Sequence, residues 1–256
     1  MKIAYQSLTW ANFYKDFSID RVLLEISEAG FKGVELVEKL SLLGPPNKLK
    51  SKLKDFNLPL VSLSCGLNLD RSDKSDIKET MDKTDYAKEF GVKPMMTCGG
   101  WLGEKRDKTE DDFKILAEKL EMCSEYAGQF GMSIAYHPHK DTIVETEADI
   151  DRLLKYTKLT KLCIDIAHLV WCGSDPIKVI EKNKDKITYI HLKDWSRDKN
   201  SFVELGKGEV DIVGSINLLT KIKYREWMTI ELDNASDNPK KSAEISAEFL
   251  RKNNFL

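Results

Sequence analysis

The sequence holds no apolar run near the roughly 20 residues that cross a bilayer, so no membrane partner is expected. Its opening residues, Met1-Lys2-Ile3-Ala4-Tyr5-Gln6, contain no secretory core of about 7–15 apolar residues, and a cytoplasmic chain is the expectation. Cysteine is sparse. The five (Cys65, Cys98, Cys123, Cys163, Cys172) are odd in number, widely spaced and form no CxxC, which argues against a disulfide framework and for a reducing compartment. Neither sign of charge is in excess: 40 basic against 42 acidic residues leave a net charge of −2. Without a basic surplus no nucleic-acid partner is expected. Proline and glycine are few and scattered, and no linker, low-complexity tract or composition break divides the chain, so residues 1–256 read as one domain. No Gly-rich phosphate loop follows the first strand, which counts against a doubly wound dinucleotide-binding sheet, the runner-up architecture. What is present is 41% hydrophobic residues, enough for a sizeable core and too many for a disordered chain.

Short apolar runs alternate with longer amphipathic ones. Strands are expected at 2–5, 33–36, 60–64, 94–97, 133–136, 162–164, 187–191 and 227–231. These runs are continuously apolar rather than alternating, as parallel strands covered on both faces should be. Between them, Ile19, Val22, Leu23 and Ile26 repeat at helical spacing, as do Phe113, Leu116, Ala117 and Leu120. Further helices are expected at 47–56, 77–90, 147–156, 176–183, 213–222 and 243–253. Gly30, Gly91 and Gly131 each follow a helical run and precede a strand, and Asp175-Pro176 reads as a helix start. Eight strand–helix units in about 250 residues are the arithmetic of an α/β fold of the (β/α)8 TIM barrel type, whose chemistry sits at the C-terminal strand ends.

All four histidines, His137, His139, His168 and His191, fall at or just after an expected strand end. Strand five ends in Tyr136-His137-Pro138-His139, strand six in Asp165 with His168 after it, strand seven in His191-Leu192-Lys193-Asp194 and strand eight in Glu231. Taken singly, such a His or Asp is more often a satisfied hydrogen-bond partner than a ligand. Together, two imidazoles and two carboxylates on successive strands make His137, Asp165, His191 and Glu231 candidate ligands of one divalent metal ion. Mn, Co, Zn, Mg and Fe all suit such donors, and the donor set does not choose among them. The bland alternative is a metal-free polar network in which Asp165 pairs with His168. Trp10, Trp101 and Trp171 follow strands one, four and six and suit either a sugar-stacking wall or the core. Glu35 closes strand two, as a substrate-hydroxyl acceptor or half of a salt bridge.

The segments Tyr136-His137-Pro138-His139-Lys140-Asp141-Thr142 with Glu145-Thr146, Asp165 with His168, His191-Leu192-Lys193-Asp194, Gly206-Lys207-Gly208-Glu209-Val210-Asp211 and Trp227-Met228-Thr229-Ile230-Glu231 resemble the xylose isomerase-like barrel superfamily of sugar isomerases and epimerases, nearest to its inosose dehydratase-like group. The resemblance is specific from about residue 133 to 235. It implies one divalent ion held by residues from strands five to eight. Asp165, His191 and Glu231 match the last three positions, and His137 stands where many epimerases have Glu. It further implies a sugar or cyclic polyol substrate and a homo-oligomer, dimer or tetramer. The expected activity is isomerisation or epimerisation through an enediolate formed by α-proton abstraction, or the water elimination of an inosose dehydratase-type lyase. The candidate roles are Glu231 as general base, His139 or Glu145 as partner acid, Lys193 at the oxyanion, and His168, Glu35 and Trp101 (with Lys193) at the substrate. Glu145 is also a second candidate for the first ligand. Two other classes remain. A phosphodiesterase-like nuclease would need about three metals and more ligands than four histidines readily supply. A non-catalytic polyol sensor would show no proton exchange.

Overall fold

A computed structural model describes residues 2–103 and 107–256. In chain order the elements are β1 (Ile3–Gln6), α1 (Leu8–Phe13), α2 (Ile19–Ala29), β2 (Val34–Leu36), α3 (Leu40–Leu43), α4 (Pro46–Asp55), β3 (Leu60–Leu67), α5 (Ser75–Lys88), β4 (Pro94–Gly99), α6 (Glu110–Gly128) and β5 (Ser133–Tyr136). There follow α7 (Glu147–Leu154), β6 (Lys161–Asp165), α8 (Ile166–Trp171), α9 (Pro176–Asn183), β7 (Ile187–Leu192), β8 (Asp194–Ser196), β9 (Ser201–Val203), α10 (Ile212–Lys221), β10 (Met228–Ile230) and α11 (Pro239–Lys252). Eight parallel strands close into a barrel in the order β1-β10-β7-β6-β5-β4-β3-β2, and β8 and β9 form a separate antiparallel pair. The expected (β/α)8 barrel is what the chain builds, with β10 as its eighth strand.

Packing divides the chain into two compact units, Met1–Leu63 with Ile190–Leu256, and Ser64–Tyr189. In the first, Tyr5 is fully buried, with its ring edge-on to Trp10 (5.3 Å) and Phe31 (5.0 Å), and burial raises its phenol pKa. Val22, Leu23 and Ile26 of α2 are also buried there, each worth up to roughly 1.5–3 kcal/mol. In the second, Phe113, Leu116 and Leu120 of α6 are fully buried, as are Ile134, Ala135 and Tyr136 of β5. Helix ends follow local chemistry. Ser18 caps α2 by accepting the Arg21 N–H, and Gly30 closes it at φ 100°, a conformation that disfavours side chains with a Cβ.

Expected strands and helices differ from those found by a few residues at their ends. The largest shift is at α11, which starts at Pro239 rather than 243 because Asn238 caps it by accepting the Lys241 N–H. Apolar spacing does not register such a polar first turn. The short helices α1, α3 and α8 and the β8–β9 hairpin were not expected. The helices are at most six residues and the hairpin strands three each, too short to display a period. Among the described residues no helix is long and apolar enough to cross a membrane.

Candidate metal centre and active site

The histidine-bearing strand ends belong to the second unit. β5 runs on past Tyr136, since the His137 N–H donates to the Thr97 carbonyl at the end of β4 (2.8 Å). Asp165 ends β6 and caps α8, its Oδ1 accepting the N–H groups of Ala167 (2.7 Å) and His168 (3.0 Å). That cap turns the chain so that His168 comes back beside Asp165. One ligand atom from each of the buried His137, Asp165 and His168 lies within 4.8 Å of the others. Oδ2 of Asp165 is buried and accepts no hydrogen bond among the described residues, and it lies 3.6 Å from His137 Nε2. That separation is too long for a hydrogen bond but suits two ligands of one cation at about 2.1 Å each. The donor set thus fits a divalent ion, which would satisfy the uncompensated carboxylate oxygen.

His139 is half-buried. Its Nδ1 lies 2.5 Å from the Lys140 carbonyl, which can only accept, so Nδ1 carries the hydrogen. Its ring lies 3.8 Å from that of His168, and the edge of the half-exposed Trp101 approaches it at 4.7 Å. His168 Nδ1 accepts the Lys140 N–H (3.3 Å), which assigns the ring hydrogen of neutral His168 to Nε2 and makes that nitrogen a donor. Glu145 does not join this group. Its Oε1 accepts the Asp141 N–H (2.7 Å) and its Oε2 pairs with Lys108 (2.7 Å), ties that brace the loop after β5. Burial works against the Lys108 charge, yet the Asp149 and Glu145 carboxylates outweigh it and hold its pKa above the usual lysine value. Trp171 lies under the Lys140 ammonium, 4.8 Å from ring centre to nitrogen.

The charged strand ends belong to the first unit. His191 is fully buried between two carboxylates, Nε2 2.9 Å from Glu35 Oε2 and Nδ1 2.5 Å from Glu231 Oε2. Glu35 is held in turn by the Gln6 side-chain amide (2.8 Å). Lys193, also fully buried, donates to Glu231 Oε1 (2.8 Å) and Asp233 Oδ1 (2.6 Å). The spacings His191–Lys193 and Glu231–Asp233 are both i, i+2, which puts each pair on one face of an extended chain. That spacing was available in the sequence, but Asp233 was given no role. Gln6 was missed as well, and it carries no motif. Trp10 belongs to the core, donating to Glu25 (2.6 Å).

The Lys193-Asp194 and Gly206–Asp211 segments explain one another. The buried Asp194 carboxylate accepts the N–H groups of Gly206, Gly208, Val210 and Trp195. A Cβ on Gly208 would collide with Asp194 Oδ1 and the Trp195 carbonyl. Burial raises the Asp194 pKa despite these four donors. This aspartate therefore frames a loop, and the flexible Gly206-x-Gly208 signal has a structural use.

The pattern of the xylose isomerase-like TIM barrel family matches residues 23–253. Inosose dehydratase of Geobacillus kaustophilus (strain HTA426) is 26% identical over 291 residues, spanning 97% of this chain and 93% of that protein. Among solved structures, 3-keto-D-glucoside 4-epimerase YcjR from E. coli superposes with a TM-score of 0.80 at 19% identity, over 98% of this chain and 99% of that one. The IolI protein, solved with a zinc atom, gives 0.78 at 20% identity, over 99% and 96%. With the family pattern running through nearly the whole barrel, the chain belongs to the xylose isomerase-like TIM barrel family.

Proposed function

We propose that the chain is a divalent-metal-dependent enzyme that removes a proton next to the carbonyl of a polyhydroxy substrate, a ketose or a keto-inositol. The observation that carries this reading is the buried Asp165 Oδ2 set 3.6 Å from His137 Nε2, two ligand atoms with a cation's spacing between them. In barrel order β5, β6, β7 and β10 are successive, and their ends carry His137, Asp165, His191 and Glu231, the proposed ligands. His191 suits the role because its Nε2 pairs with Glu35, the carboxylate–histidine arrangement that orients a ligating imidazole, while its Nδ1 lies beside Glu231, another proposed ligand. His168 suits it less, since its Nε2 is assigned as a donor; it is proposed to bind a substrate hydroxyl. Trp101 is proposed as a wall of the substrate site through its edge contact with His139.

When bound, the ion would supply Lewis-acid polarisation of the carbonyl. Glu231 would take the α-proton, its carboxylate aligned by Lys193 and His191. Lys193 would set its positive charge beside the developing oxyanion. His139, with Nδ1 fixed on the Lys140 carbonyl, would give or take a proton at Nε2 near neutral pH. Returning the proton to the opposite face or the neighbouring carbon gives epimerisation or isomerisation, the principal reading. The solved 3-keto-D-glucoside 4-epimerase shares this barrel. Protonation and departure of a β-hydroxyl gives dehydration, the alternative reading, which the inosose dehydratase relatives and an imidazole in place of a carboxylate at the end of β5 support. The five unbridged cysteines agree with work in the cytoplasm.

The test is metal analysis of the purified protein, followed by ketoses and inososes incubated in D2O with proton exchange and water loss both read. Exchange without water loss identifies an isomerase or epimerase, and water loss identifies a lyase. A protein that binds no divalent ion and exchanges no proton would overturn both.

A further inference from the structure

The hairpin β8–β9 adds nothing to the barrel sheet, yet it begins one residue after Lys193 and returns Phe202 to that lysine. The Phe202 ring centre lies 3.9 Å from Lys193 Nζ, on an ammonium already held by Glu231 (2.8 Å) and Asp233 (2.6 Å). The hairpin is itself anchored. Backbone pairing matches Asp194 with Val203, Trp195 with Phe202 and Ser196 with Ser201, and the Asp194 carboxylate ties it to residues 206–210. Lys193 is fully buried and has four rotatable side-chain bonds, and two carboxylates fix the direction of its charge. An aromatic face both attracts the cation and fills the space into which it would otherwise swing.

We propose that Phe202 is a positioning residue: carried on the β8–β9 hairpin, it caps the Lys193 ammonium and holds it in register with Glu231. The proposal deepens the reading of Lys193 and Glu231 given above and rests on it for its kinetic consequence, but the capping itself can be measured without substrate. Any aromatic ring should serve, and an aliphatic side chain of similar size should not.

Two experiments on the full chain loaded with metal test this. In the first, brief acetylation with acetic anhydride is read at Lys193 by peptide mass spectrometry. Phe202→Leu is expected to raise Lys193 modification about tenfold and Phe202→Trp to leave it within about twofold. Equal modification in wild type and Phe202→Leu overturns the capping. In the second, deuterium exchange beside the carbonyl of a keto-inositol and of D-fructose is followed in a mutant cycle. Phe202→Leu is expected to lower kcat about tenfold with KM little changed, Phe202→Trp to restore it, and the Leu effect to vanish when Lys193 is already Met. An equal Leu effect with and without Lys193 overturns the positioning role. Absence of exchange in the wild type, with acetylation behaving as expected, counts against the reading of the reaction and leaves the cap standing.

Discussion

The strand ends of the two packing units solve different problems with the same residue types. Around β5 and β6, three histidines and Asp165 lie close together with few ion pairs: Asp165 Oδ2 is 3.6 Å from His137, and the tilted rings of His139 and His168 are 3.8 Å apart. Around β7 and β10, the side chains pair closely at 2.5–2.9 Å, Glu35 and Glu231 with the His191 imidazole, Glu231 and Asp233 with the Lys193 ammonium. A buried imidazole can be neutral and needs only hydrogen bonds, whereas a buried ammonium or carboxylate needs an opposite charge or, as at Asp194, several converging N–H donors. The first arrangement leaves a ligand atom available, and the second fixes the direction of a base and its cationic neighbour.

The difference can be broken from either side. Asp165→Ala should bring bound metal below about a tenth of wild type and activity down with it. Asp165→Asn, which keeps an oxygen for the α8 cap, separates ligand loss from the roughly 1 kcal/mol of the cap, read as metal content against thermal midpoint. Full metal occupancy in both variants would remove Asp165 from the ligand set. Glu231→Gln should slow α-proton exchange into D2O by at least about 10²-fold; an unchanged rate takes the base role from Glu231. Lys193→Met takes the ammonium away from two carboxylates, one of them almost fully buried. A loss of roughly 3 kcal/mol is expected in urea unfolding, and a loss below about 1 kcal/mol would show the pair to be solvated in practice. Gly208→Ala pushes a Cβ against Asp194 and should destabilise by about 1–3 kcal/mol, checked the same way.

The smallest effect concerns pH at Asp149, in the loop that Glu145 also braces. Burial raises its pKa, but Lys108, the Thr146 hydroxyl and the Glu145 N–H together hold it below the usual carboxylate value. A folded pKa below the unfolded one gives stability that is complete above the ordinary carboxylate range and lost as pH falls through the folded value. The difference in unfolding free energy between wild type and Asp149→Asn should therefore shrink between about pH 6 and about pH 3. A difference that does not change with pH would show that the carboxylate charge contributes nothing there.

Much of the fold was legible because its strands are continuous apolar runs and its helices carry an apolar stripe; β5 and α9 match their expected bounds. Elements made from local capping were not. α8 exists because Asp165 turns onto the Ala167 and His168 N–H groups, and no hydrophobic period announces six residues. At the site, the strand-end rule brought forward the histidines, Asp165, Lys193 and Glu231. Glu145 came from the family resemblance instead, and the structure ties it to Lys108 and the Asp141 N–H. The strand-end rule passed over Phe202, since a hairpin residue has no strand end to mark it.

Taken alone, the amino-acid order determined the architecture and the inventory of reactive groups, because burial periodicity and strand-end polarity are local properties of the chain. Only the folded molecule decided which atoms those groups spend on one another. Partner choice between His191 and Glu35, Lys193 and Asp233, or Asp194 and the 206–210 loop depends on separations of a few ångströms between residues 12 to 156 positions apart. Hydrogen bonds and ion pairs weaken steeply over such distances, and no pattern within a strand encodes them.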